Sequence, residues 1–95
     1  MDDLGVPDWL TENDDGSVTV DFGDRAPNID GTKVREITMR EPTVEDQVTA
    51  QKGRNAAEAE IALIASLTEV SPQALRGMTL RQYGRGQTAL QLFTV

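Results

Sequence analysis

The sequence predicts an α+β fold, an N-terminal β-hairpin followed by a small three- to four-helix bundle. Three observations lead there. Residues 17–22 and 33–40 alternate polar and apolar side chains, the period of a half-buried strand. From Thr43 onward, helix-start signatures recur at Thr43, Asn55, Ser71-Pro72 and Thr79. The chain has 95 residues, enough for one small domain with a limited core.

Residues 1–15 carry repeated Asp and no sustained period, which predicts a flexible acidic arm ahead of a single domain over 16–95. Trp9-Leu10 interrupts that arm. An apolar pair among acids either packs back on the domain or anchors a partner. In Ser17-Val18-Thr19-Val20-Asp21-Phe22 the apolar residues share one face, and β-branched residues favour a strand. Asp30-Gly31 is suited to the left-handed positions of a tight turn. Lys33 to Arg40 reads as the second strand of the hairpin, which spans 16–41. Val34 is out of phase with Ile37 and Met39, so a bulge is expected near Arg35-Glu36. Two strands alone are marginal in water and need cover.

The helical half spans 43–95. Thr43 with Asp46 three residues on forms a capping box. Val44 and Val48 then make a thin apolar stripe, and Gly53 closes the helix. Asn55 caps the next helix, which is apolar nearly all round between Ala56 and Leu67 and reads as a central core helix with Ile61, Ile64 and Leu67 inside. Ser71-Pro72 starts a short turn of helix ending at Gly77. Thr79 and Gln82 open the last helix, for which Leu80, Tyr83, Leu90 and Phe93 form the expected buried stripe. Gly84 and Gly86 predict fraying, a kink or close packing there.

Composition narrows the function. The chain holds no Cys and no His. This removes thiolate chemistry, disulfides, Ser-His triads and the commonest metal ligands. An enzyme, a metal site and a cofactor site are not expected. Gly84-Arg85-Gly86 lacks the spacing of a phosphate loop. Glu58 and Glu60 point to different helix faces. Asp2-Asp3 and Asp14-Asp15 lack the pattern of a calcium loop. No apolar run reaches membrane length, and the acidic Met1-Asp2-Asp3-Leu4 is unlike a secretory leader. The net charge of −7 is uneven: residues 1–32 hold nine acids against Arg25 alone, while residues 33–95 are close to neutral. No basic stripe is available for phosphates, so nucleic acid is not an expected partner.

Three blocks then stand in order. Ile37-Thr38-Met39-Arg40-Glu41-Pro42-Thr43-Val44-Glu45-Asp46 runs a strand into a capped helix. Glu58-Ala59-Glu60-Ile61-Ala62-Leu63-Ile64-Ala65-Ser66-Leu67 is the apolar helix. Val70-Ser71-Pro72-Gln73-Ala74-Leu75-Arg76-Gly77-Met78-Thr79-Leu80-Arg81-Gln82-Tyr83 follows. Together, over about residues 33–93, they resemble the phage tail assembly chaperone family of Mu-like and related long-tailed phages. Its members show Leu-Arg-Glu-Pro-Thr, then E-x-x-L-A-x-L, then S-P-E-x-L-x-x-L-x-x-x-D-Y. Gln82 stands where Asp commonly precedes the Tyr, and the two glycines loosen the last helix.

The resemblance implies a non-enzymatic chaperone. It would bind the long, largely helical tape measure protein, recruit tail tube subunits around it, act in the host cell cytoplasm and be absent from the mature virion. Many members also occur in a longer, frameshifted form. The candidate partner-binding residues are Trp9, Leu10, Arg40, Tyr83 and Phe93. A homo-oligomer is left open. The alternative is an acidic phage decoy or inhibitor that caps a basic surface or mimics DNA. It rests on the acidic arm, and is weakened if those acids precede the fold rather than sit on it.

Overall fold

The computed structural model describes residues 6–93. Strands β1 (Leu10–Glu12), β2 (Val18–Asp21) and β5 (Glu36–Met39) form an antiparallel sheet in the order β1-β2-β5. The register pairs Val20 with Leu10 on one side and with Ile37 on the other. Because side chains alternate, Leu10, Val18, Val20, Ile37 and Met39 all share one face, and all five are buried. The other face is polar, with the hydroxyls of Thr19 and Thr38 3.0 Å apart.

The sheet differs from the expected hairpin by one strand. Part of the stretch expected to be an arm forms β1, joined to β2 by a turn in which Gly16 takes φ 90. The Asp15 carboxylate accepts from the Ser17 amide at 2.9 Å and from its hydroxyl at 2.6 Å. Those bonds hold the Asp15 carboxyl below the usual carboxylate range. Residues 1–5 of the arm lie outside the described residues.

The long β2–β5 connection contains a second, two-stranded ribbon, β3 (Asn28–Ile29) and β4 (Thr32–Lys33). Asp30 and Gly31 sit at φ 53 and 86 in its turn, as their chemistry predicts. The out-of-phase Val34 is explained by a break rather than a bulge. Its amide bonds the carbonyl of Pro27 at 3.0 Å, and pairing with β2 resumes only at Glu36.

The helices are α1 (Val44–Gln51), α2 (Ala56–Thr68), α3 (Pro72–Arg76) and α4 (Leu80–Leu92). All four begin at the expected caps. Thr43 and Thr79 form reciprocal boxes with Asp46 and Gln82, and the side chains of Asn55 and Ser71 accept the third helical amide. Helix α2 ends with Glu69 in the left-handed region at φ 62, a place glycine usually takes. The Arg40 amide donates to the Leu67 carbonyl at 3.1 Å, tying the end of β5 to α2. Ile64 and Leu67 of α2, Val70, Leu75 of α3 and Ala89 of α4 close over the apolar face of the sheet in one core. Burying each larger aliphatic side chain there contributes roughly 1.5–3 kcal/mol.

Two helix expectations fail. Helix α2 is not enclosed: Ile64 and Leu67 are buried, Ile61 is half-buried, and Ala56 to Glu58 are exposed. Its alanines made the apolar face look wider than the face that packs. Leu80 was expected inside but is 90 % exposed, because it is the first residue of α4 and its turn projects past the core. The fully buried residue of α4 is instead Ala89, which was not among those expected inside.

Candidate partner-binding surface

Helix α1 packs on α2, and the sequence leaves it poorly covered. Ala50 is its one buried residue, while Val44 and Val48 are 83 % and 50 % exposed. The expected apolar stripe exists but faces solvent. Gly53, at φ 64, turns the chain from α1 into α2. The Arg54 guanidinium folds back to the carbonyls of Thr49, Ala50 and Lys52 at 3.2–3.4 Å, where a cation also suits the negative end of the helix dipole.

Between these helices lies a groove of about 450 Å³. Gln47, Ala50, Gln51 and Arg54 line it from α1 and the turn, Ala56, Ala59, Glu60 and Leu63 from α2, and Leu90 from α4. The depth comes from the alanines, whose methyl groups leave room that longer side chains would fill. Its polar edge is fixed. The Glu60 carboxylate accepts from the Tyr83 hydroxyl and from the Gln87 amide, each at 2.9 Å. Burial, and then the Glu60 carboxylate, push the Tyr83 hydroxyl well above its ordinary pKa. A shallow trough of small apolar groups with a polar edge suits one face of a partner helix.

The five residues singled out from the sequence do not converge on this groove. Leu10 is buried in the sheet at 5 % exposure and contributes to the core. Trp9 is half-buried and packs against that core, with the Arg85 guanidinium 4.6 Å from its ring centroid. The Trp-Leu pair therefore docks on its own domain. Arg40 grips Asp46 at 2.8 and 2.9 Å, bracing the strand–helix corner. That guanidinium, followed by the Thr43 amide, holds the Asp46 carboxyl far below its usual range. Tyr83 reaches the groove only through Glu60. Phe93 is half-buried beside Leu92 in a different recess, opposite Glu12, Ser17 and Glu41.

Sequence reading missed Ala59, Leu63 and Leu90 as groove residues because apolar residues in those helices were assigned to the core, and it did not single out Ala50 at all. The available signal was the excess of apolar positions in α2 over what one small sheet can cover. The acids are also placed differently than expected. Glu12, Asp14 and Asp15 lie on β1 and its turn, on folded surface. Among the described residues, no group of three or more Asp or Glu could hold a metal ion, and no helix is long and apolar enough to cross a membrane.

Residues 23–95 match the family model described as phage tail assembly chaperone proteins, E, or 41 or 14. The match begins just past β2, so the first two strands lie outside it. No curated protein and no solved structure matches the chain.

Proposed function

The chain belongs to the phage tail assembly chaperone family, and on that premise we propose that it binds the tape measure protein through the α1–α2–α4 groove and assists tail tube assembly without catalysis. The observation that carries this reading is the groove itself, with Val44 and Val48 exposed on the same helix hairpin. An apolar helix of a tape measure protein would lay small and aliphatic side chains into the trough, which removes its own apolar surface from water. The shallow contact suits a chaperone that must later leave, since release requires modest affinity. Tail tube subunits would arrive while the chaperone still covers the helix. The reaction-free role fits a chain without Cys or His. The work would take place in the host cytoplasm, and the protein would be absent from the finished virion.

Co-expression with the tape measure protein of the same phage tests the reading. The wild-type chain should raise the soluble fraction of that protein and co-purify with it. Ala56→Glu should abolish both while leaving the melting temperature unchanged. Its carboxylate enters the groove, yet sits in the first turn of α2, where the helix dipole favours an acid. Equal solubility with and without the chain would transfer support to the decoy reading. That reading gains from Glu12, Asp14 and Asp15 being on folded surface. It predicts instead that the chain competes with DNA for a basic protein.

A further inference from the structure

A further recess lies between the loop after β2 and helix α4. It is a cleft of about 140 Å³ lined by Phe22, Arg25, Arg81, Gln82 and Arg85. Three of its five lining residues are arginines, in a protein of net charge −7. Arg81 and Arg85 are one turn apart on α4, a like-charge spacing that destabilises a helix. Arg81 also sits in the first turn, where the helix dipole disfavours a cation and no acid is present. Arg85 is partly offset by Trp9 and Asp21, but Arg81 has no such partner among the described residues. Among the described residues Arg35 and Arg40 have carboxylate partners, whereas Arg25 and Arg81 have none.

The cleft is held open in a fixed shape. The Asp21 carboxylate accepts from the Gly23 amide at 2.7 Å, which sets the loop after β2. The Gln82 amide donates to the Arg25 carbonyl at 2.8 Å, pinning that loop against α4. Arg85 donates to the Asp21 carbonyl and stacks on Trp9, so its position is fixed, and its charge is shared with the nearby Asp21 carboxylate, which Arg35 already engages. The Asp21 carboxylate itself is engaged by Arg35 at 3.0 Å.

We propose that this arginine cleft binds the carboxylates of a short acidic peptide segment of a partner protein. Guanidinium forks match carboxylates in paired hydrogen bonds. The volume admits one or two side-chain carboxylates. A long polyanion such as duplex DNA would meet the repulsion of the whole acidic remainder of the chain, whereas a short segment would meet only the part within about one Debye length. This site is separate from the groove and does not depend on the tape measure reading.

Trp9 provides the readout, since it stacks on Arg85 and is the sole tryptophan. The probe is an end-blocked synthetic peptide of four glutamates followed by leucine, titrated into the full chain. Trp9 fluorescence and titration calorimetry are read in parallel. The expected result is saturable binding that weakens with added salt. The same peptide with glutamines in place of glutamates should not bind. Arg25→Gln combined with Arg81→Gln should raise the Kd at least tenfold with an unchanged melting temperature, and Arg25→Lys with Arg81→Lys should restore part of the loss. Absence of binding by both methods would overturn the proposal, as would wild-type affinity in the glutamine double variant. Saturation by inorganic phosphate at the same concentration would overturn the peptide assignment in favour of a small-anion site. Equal binding of duplex DNA would overturn it in favour of nucleic acid.

Discussion

The sheet side and the α1 side of this domain use similar residues for opposite ends. Against the sheet, Val18, Val20, Ile37 and Met39 meet Ile64, Leu67 and Leu75, and all are buried. On α1, Val44 and Val48 are left in water, and Ala50 alone is buried. The same valine is core on β2 and exposed on α1. The difference is whether the opposite surface is supplied by this chain. The sheet has three strands of aliphatic residues and finds its cover in α2, α3 and α4. Helix α1 packs mainly on α2. Two exposed valines are ordinary on a surface by themselves; here they stand one turn apart beside the groove proposed for the partner.

The largest effects should separate the two sides. Ile64 is 2 % exposed between sheet and helices. Ile64→Asp places an unpaired charge there, which costs several kcal/mol against a total stability of about 5–15 kcal/mol. We expect loss of the cooperative melt by circular dichroism. Val48→Asp should leave the melt within about 0.5 kcal/mol of wild type, yet reduce the soluble yield of co-expressed tape measure protein. An unfolded Val48→Asp protein would erase the contrast between the two sides.

The next effect acts where the sides join. Asp46 bonds Arg40 and also the Thr43 amide, so one carboxylate links the end of β5 to the start of α1. Its pKa is depressed in the fold, as are those of Asp15 and Asp21, the last chiefly by Arg35. A group with a depressed folded pKa stabilises the fold above its unfolded value, about 3.9. That contribution is lost as pH falls through the folded pKa. Stability should therefore be flat from neutral pH to about pH 5 and drop below about pH 4. Asp46→Asn should melt below wild type at pH 7, with the two curves converging toward pH 2. A gap that stays constant with pH would mean that the Asp46 charge does not matter. Thr43→Ala removes only the cap hydroxyl and should cost about 1 kcal/mol. On the α1 side this should appear as fraying of α1, with the sheet unaffected in hydrogen exchange.

What could be read from the sequence follows the range of the interaction. The caps at Thr43, Asn55, Ser71 and Thr79 and the Asp30-Gly31 turn are decided within three or four residues, and each is where its chemistry puts it. Strand β1 was hidden because three residues, Leu10-Thr11-Glu12, carry no period of their own. They become a strand only by pairing with β2. Val34 showed that the second strand was interrupted, but whether by a bulge or by a separate ribbon depends on Pro27, seven residues away. Burial was the least legible property. Leu80 and Leu90 are both apolar residues on α4, yet one starts the helix in water and the other lines the groove. The Arg25–Arg81–Arg85 cleft joins a loop to a helix more than fifty residues on; the helix carries two arginines and no acid, but Arg25 lies in a segment that is acidic when read alone.

The smallest effect should run toward greater stability. Gly84 and Gly86 were expected to loosen α4 or to allow close packing, yet both lie within the continuous helix Leu80–Leu92. Neither has a positive φ, and a Cβ built on either meets nothing within 4 Å. Close packing is therefore not why they are glycine. Gly86 borders a small core cavity of about 20 Å³ between Val20, Ile64 and Leu75, so a methyl group there would enter open space. Each change to Ala should stabilise the protein by about 0.5–1 kcal/mol through helix propensity. On a domain this size that is a rise of a few degrees in melting temperature. Helix α4 touches both sides, packing on β2 and lending Leu90 to the groove. If the double Ala variant melts higher and still solubilises the tape measure protein, the glycines have no part in binding. If it melts higher and solubilises less, α4 must yield for the groove to accept its partner, and the stable and receptive sides are coupled through this helix. A lower melting temperature would show that the space beside Gly86 is not open.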